Sequence, residues 1–128
     1  MIKTRREHKG FTLIELLVVL AIIGSLLTIA VPSYFATLEN SRETALRQSL
    51  SVMRDAIDHY RGDVGKYPDS LQDLVSRRYL RNIPSDPITG VADAWVIEAP
   101  TDAGTGAVRD VRSGAPGNGR DGTAYGTW

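Results

Sequence analysis

The sequence predicts an α+β fold: a long N-terminal helix, transmembrane in its first half and amphipathic in its second, followed by a small C-terminal domain with a short antiparallel sheet. Three observations carry this expectation. Residues 11–31 are apolar all round, with Glu15 as their only charge. The residues after them keep a helical period without a stop signal. Beyond residue 61 the chain turns into short elements broken by glycine and proline.

The apolar run comes first. As a helix, residues 11–31 span roughly 30 Å at 1.5 Å per residue, about one hydrocarbon core. A helix with no polar face belongs in a membrane or in the middle of a bundle. Lys3, Arg5, Arg6 and Lys9 outweigh Glu7 on its N-terminal side, whereas Glu39, Arg42 and Glu43 leave a slight acidic excess beyond it. The positive-inside rule then keeps the N-terminus cytoplasmic and sends the rest across. A secretory signal peptide would end in a small-x-small cleavage site. Pro32, Ser33 and Tyr34 stand there instead, and the helical pattern continues. An ionised Glu15 inside hydrocarbon is costly and calls for a partner.

Pro32 closes the uniform run and predicts a bend. Leu46, Leu50, Met53, Ile57 and Tyr60 then follow at helical spacing as one packing stripe. Arg42, Glu43, Arg47, Arg54, Asp55, Asp58 and Arg61 are assigned to the other faces, and Gly62 with Gly65 to the helix end. A helix over 12–61 would be roughly 75 Å long. Its first half carries Gly24, Ser25 and Thr28, small residues that permit close helix approach.

In the remainder, Asp69 is the expected N-cap of a short helix, with Gln72 completing a capping box. Leu71, Leu74 and Val75 are its buried face. Arg77, Arg78 and Arg81 read as a solvated helix end that favours cations. Residues 83–90 form a loop stiffened by Pro84 and Pro87. Strands are expected at 94–98 and 107–111, with Trp95 and Ile97 packed on the helix.

Composition excludes several functions. Fifteen basic residues balance fifteen acidic ones, so no strongly basic surface is implied and no nucleic-acid partner is expected. There is no cysteine, and His8 and His59 stand far apart, which leaves no thiolate nucleophile and no multi-histidine metal centre. The chain has no phosphate-binding Gly-x-x-x-x-Gly-Lys-Ser/Thr loop, and no serine lies in a triad context, so no enzyme activity is expected.

Lys9-Gly10-Phe11-Thr12-Leu13-Ile14-Glu15 resembles the class III signal of type IV pilins and type II secretion pseudopilins. The resemblance implies that a prepilin peptidase cuts between Gly10 and Phe11 and methylates the new Phe11 amine. Glu15 would then be the assembly residue, its carboxylate neutralising that amine in its own or a neighbouring subunit. Pro32 matches the family's helix proline. Four segments follow: a cleaved basic leader at 1–10, a transmembrane and filament-core helix segment at 11–32, an amphipathic helix at 33–61 and a globular region at 62–128.

The later chain is similar to the major, G-type pseudopilin in Gly65-Lys66-Tyr67-Pro68, Leu71, Leu74, Leu80, Ile83-Pro84, Asp86-Pro87, Gly90, Asp121-Gly122 and Trp128. That likeness implies a structural subunit in the bacterial inner membrane, with its C-terminal domain periplasmic. It would polymerise with itself and with minor pseudopilins on an inner-membrane assembly platform, and drive protein export across the outer membrane. A type IV pilin, major or minor, is the alternative, and a non-polymerising membrane-anchored binding module is a further one. The G-type likeness also implies calcium in the C-terminal loop. Asp110, Asn118 and Asp121 are the candidate ligands, Arg120 argues against a strongly negative cage, and Asx-turns at Asn118 and Asp121 are the competing reading.

Overall fold

The computed structural model describes Ile2 and residues 9–128. Lys3, Arg5, Arg6, Glu7 and His8 of the basic leader lie outside the described residues. The chain divides into two compact units, residues 1–37 and 38–128, and a single helix, α1 (Leu13–Val64), enters both.

In the first unit α1 passes through Pro32 without interruption. Proline there removes one intrahelical hydrogen bond, and the bonds around it suffice to keep the helix. The side chains of this stretch are exposed, Leu13 to 76% and Ile29 to 74%. Its few hydroxyls are satisfied locally. Ser25 Oγ donates to the Ala21 carbonyl at 2.8 Å and Thr28 Oγ1 to the Ser25 carbonyl at 2.6 Å. A helix surrounded by hydrocarbon needs this internal satisfaction, because no water is there to supply it.

The second unit is organised by the other half of α1. Leu46, Leu50, Met53, Ile57 and Tyr60 are each no more than 1% exposed. They meet Leu71, Leu74, Leu80, Trp95, Val108 and Val111 in one core. Full burial of side chains this size contributes about 1.5–3 kcal/mol each. α1 runs past Gly62 to Val64, beyond the expected end. Val64 packs against the core, and that contact outweighs the weak helix preference of Gly62. Gly65 is the true stop: its φ of +83° is left-handed, and its N–H bonds the Arg61 carbonyl at 2.8 Å.

Helix α2 (Leu71–Ser76) is capped by Ser70, one residue later than the expected Asp69. Ser70 is extended, and its Oγ accepts the Asp73 N–H at 3.3 Å. The Asp73 carboxylate reaches back to the Asp69 N–H at 3.1 Å. The cap is thus displaced by one position from the expected Asp69–Gln72 pair, with the Asp73 carboxylate bonding the residue before the cap, and Leu71 and Leu74 both face the core. Past its end Arg78 adopts φ +66°, and the N–H groups of Tyr79 and Leu80 bond the Leu74 carbonyl.

Strands β1 (Val96–Glu98) and β2 (Asp110–Arg112) pair antiparallel, with Ile97 opposite Val111. Both are shorter than expected. Trp95 is buried as anticipated, yet it precedes β1 and is fixed by its indole N–H, which donates to the Pro84 carbonyl at 2.8 Å. Ile97 is 41% exposed, contrary to the expected alternation. Three residues per strand are too few for pleat alternation to set a face, and Val111 takes the core position instead.

Candidate functional site

At the N-terminal site, Lys9 to Thr12 are non-helical and exposed, with Phe11 at 96%. The backbone at Gly10 is not left-handed, and no atom lies within 4 Å of where a Cβ would stand. Nothing in the fold demands glycine at this position. Thr12 and Glu15 form a reciprocal cap at the start of α1. Thr12 N–H donates to Glu15 Oε2 at 2.9 Å, and Glu15 N–H donates to Thr12 Oγ1 at 3.2 Å. Thr12-x-x-Glu15 is a capping-box pattern, so this pairing was readable in the sequence and was missed there. It gives the Glu15 carboxylate an own-chain donor one turn away.

A second polar constellation lies within residues 38–128. Glu43, Arg47, Leu50 and Arg54 follow one another at spacings of four, three and four, on one stripe of α1. The three charged members, assigned to the faces away from the packing stripe, each contact the C-terminal segment. Glu43 is 8% exposed, and its Oε1 accepts the Arg120 N–H at 2.8 Å and the Tyr125 hydroxyl at 3.2 Å. Burial, then this bond to Glu43, pushes the Tyr125 hydroxyl pKa above its usual value. The Arg47 guanidinium lies 4.3 Å from the Trp128 ring centroid and 3.4 Å from Asp121 Oδ2. Arg54 donates from Nε to Asp110 Oδ1 at 2.8 Å, and from Nη2 to the carbonyls of Val111 and Trp128 at 3.0 and 2.7 Å.

The three calcium candidates are therefore placed as follows. Asp110 faces Arg54, and its Oδ1 also accepts the Val111 N–H at 2.8 Å. Asp121 Oδ1 accepts the hydroxyl and the amide of Thr123, at 2.6 and 3.0 Å, an Asx-turn. These bonds, the hydroxyl first, with Arg47 beyond, hold the Asp121 carboxyl below the usual range. Asn118 forms an isolated β-bridge with Ala124. Among the described residues no three His, Asp or Glu side chains are grouped so as to hold a metal ion. Calcium takes six to eight oxygens. Here each candidate carboxylate is turned to a guanidinium, and the donor set does not fit the ion.

Ser113 also finds a structural partner. Its hydroxyl donates at 2.6 Å to Oδ2 of the fully buried Asp86, whose Oδ1 accepts the Ile88 N–H at 2.8 Å. This pair pins the proline loop to the strand β2 side of the core.

Comparison with known proteins follows the same division. The family described as "Prokaryotic N-terminal methylation motif" matches residues 5–31. Three relatives are each called type II secretion system core protein G. The Klebsiella pneumoniae protein is 31% identical over 98 residues, covering 64% of this chain and 70% of the relative. The Pseudomonas aeruginosa protein is 30% identical over 99 residues, covering 65% and 70%. The Vibrio cholerae protein is 28% identical over 145 aligned residues, covering 98% and 95%. No solved structure matches. α1 is long and apolar enough to cross a membrane. With that anchor, a methylation motif at its start and relatives of this kind, the chain belongs to the family of the type II secretion system core protein G, the structural pseudopilins.

Proposed function

We propose that this chain is the repeating subunit of a type II secretion pseudopilus, cut between Gly10 and Phe11 and polymerised through the apolar part of α1. The observation that carries the reading is the exposed, uniformly apolar surface of α1 from Leu13 to Val31, interrupted by the single carboxylate of Glu15. In the inner membrane, lipid covers this surface. In a filament, sister helices would cover it, and the same side chains serve both states. The basic leader places the N-terminus in the cytoplasm and residues 38–128 in the periplasm. The prepilin peptidase, the minor pseudopilins and an inner-membrane assembly platform are its partners, and stacking of subunits drives proteins across the outer membrane.

Processing supports the reading from a different side. Glycine at position 10 is not required by the fold, and the resemblance to the class III signal offers recognition by a prepilin peptidase as its reason. The deciding experiment joins mass and assembly. Intact mass of the membrane-extracted protein, made beside an active prepilin peptidase, should show loss of residues 1–10 and gain of one methyl group. Sheared fibres should contain the chain, and its deletion should retain exoproteins in the periplasm. An uncut chain, or secretion unaffected by the deletion, would overturn the proposal.

A further inference from the structure

The likeness to G-type pseudopilins would tie the C-terminal segment down with calcium, but in this chain α1 ties it. Glu43 holds the segment's interior through the Arg120 amide and the Tyr125 hydroxyl. Arg54 holds both its ends, Asp110 and Val111 at the start and Trp128 at the finish. Arg47 lies between them on the same stripe, against Asp121 and the Trp128 ring. We propose that Arg54 and Arg47 take the place of a structural calcium ion, so that residues 110–128 close onto α1 without metal.

Two physical points carry this. A guanidinium already supplies the positive charge that would balance each carboxylate, so an arriving divalent ion would meet a like charge beside both. Geometry agrees. The guanidinium is a rigid fork of five donors, suited to a carboxylate and two carbonyls approaching from different directions. Arg54 uses it in that way. Calcium instead gathers six to eight oxygens at about 2.3–2.6 Å around a point. Asp110 Oδ1 and Asp121 Oδ1 already accept two hydrogen bonds each from protein donors, and would have to abandon them. The spacing of Glu43, Arg47 and Arg54 also explains why the latch belongs to this helix. One stripe delivers an acid and two bases to a segment that presents an N–H and a hydroxyl to the acid, and carboxylates and backbone oxygens to the bases.

The inference does not depend on filament formation and is tested on the monomer. The full chain in detergent is melted in EGTA and in millimolar calcium chloride, with fluorescence of Trp95 and Trp128 as the signal. The same Tm is expected in both, and equilibrium dialysis should find no calcium retained by the chain. Arg54→Met should lower Tm by several degrees in EGTA and expose residues 110–128 to protease, and added calcium should restore neither. Should Arg54→Met fail to fold, Arg47→Met carries the test with a smaller drop, because its ion pair is more exposed. A Tm raised by several degrees in calcium, or one calcium ion retained per chain, would overturn the proposal. Wild-type melting of both arginine variants would do the same.

Discussion

The Thr12 amide and the Glu15 carboxylate meet at 2.9 Å, and the return bond from the Glu15 amide to Thr12 Oγ1 is 3.2 Å. Both residues lie on the C-terminal side of the Gly10–Phe11 bond, so the cap would survive cleavage there. It gives Glu15 a donor in the isolated subunit, whether or not cleavage frees an amine at Phe11. Loss of a capping hydroxyl typically costs about 1 kcal/mol. Thr12→Val should therefore speed amide exchange in the first turn of α1 by roughly fivefold, measured on the detergent-solubilised chain. Unchanged exchange would show that the cap does not hold the turn.

Glu15→Leu tests assembly separately from insertion. On the proposed reading, an incoming subunit places its Phe11 amine among apolar helices, where an unpaired ion costs several kcal/mol. Each 1.4 kcal/mol is about tenfold in equilibrium. The variant should insert and be cleaved normally, yet yield at least tenfold fewer sheared filaments. Arg120→Ala, which keeps the backbone N–H bonded to Glu43, should assemble as wild type. Normal filament yield from Glu15→Leu would defeat the pairing argument.

Gly106 is a position where the fold tolerates no side chain. Its φ is +102°, and a Cβ would fall on the Tyr67 carbonyl. The neighbouring Tyr67 N–H bonds the Thr105 carbonyl at 2.7 Å, so relief would break a loop contact. Gly106→Ala should destabilise by about 2–4 kcal/mol, which lowers Tm by roughly 8 °C or more in a domain of this size. Thermal unfolding of the variant checks it.

Arg78 is the opposite case, a non-glycine residue held at φ +66° just beyond α2. Left-handed backbone costs about 1–2 kcal/mol with a Cβ, and glycine returns part of the gain as entropy. Arg78→Gly should stabilise by about 0.5–1 kcal/mol and raise Tm by a few degrees, visible in the same melting experiment.

Stability should be lost at both ends of the pH range. Glu98 is held below its usual 4.5, first by the hydrogen bond from Arg112 and further by the Arg109 charge, and Asp121 below 3.8 by Thr123. A depressed carboxyl contributes stability that is present above its unfolded value and disappears as pH falls through its folded value. Tyr79, hydrogen-bonded to Asp63, and Tyr125 are raised above 10.0. A raised hydroxyl contributes stability that is present below its unfolded value and disappears as pH rises through its folded one. Urea midpoints should be flat from about pH 5 to 9, fall below about pH 4, and fall again above about pH 10. A midpoint still flat at pH 3 would show that these carboxylates do not contribute.

The long helix was legible because its signals are local. An uninterrupted apolar run and a stripe from Leu46 to Tyr60 report a helix in any tertiary setting. The Thr12–Glu15 capping box is equally local. The faces of short elements were not legible. Ile97 and Trp95 were assigned by alternation, but a two-stranded ribbon of three residues per strand lets Val111 and the Pro84 carbonyl decide which side chain is buried. The N-cap moved from Asp69 to Ser70 for a similar reason, since the core positions of Leu71 and Leu74 fix the phase of α2. The contacts of Glu43, Arg47 and Arg54 were not legible because their partners lie 56 to 82 positions away. Local sequence sets the backbone's preferences. Only the folded chain brings a distant carboxylate to an arginine, and with it decides whether a loop asks for a metal or for a helix.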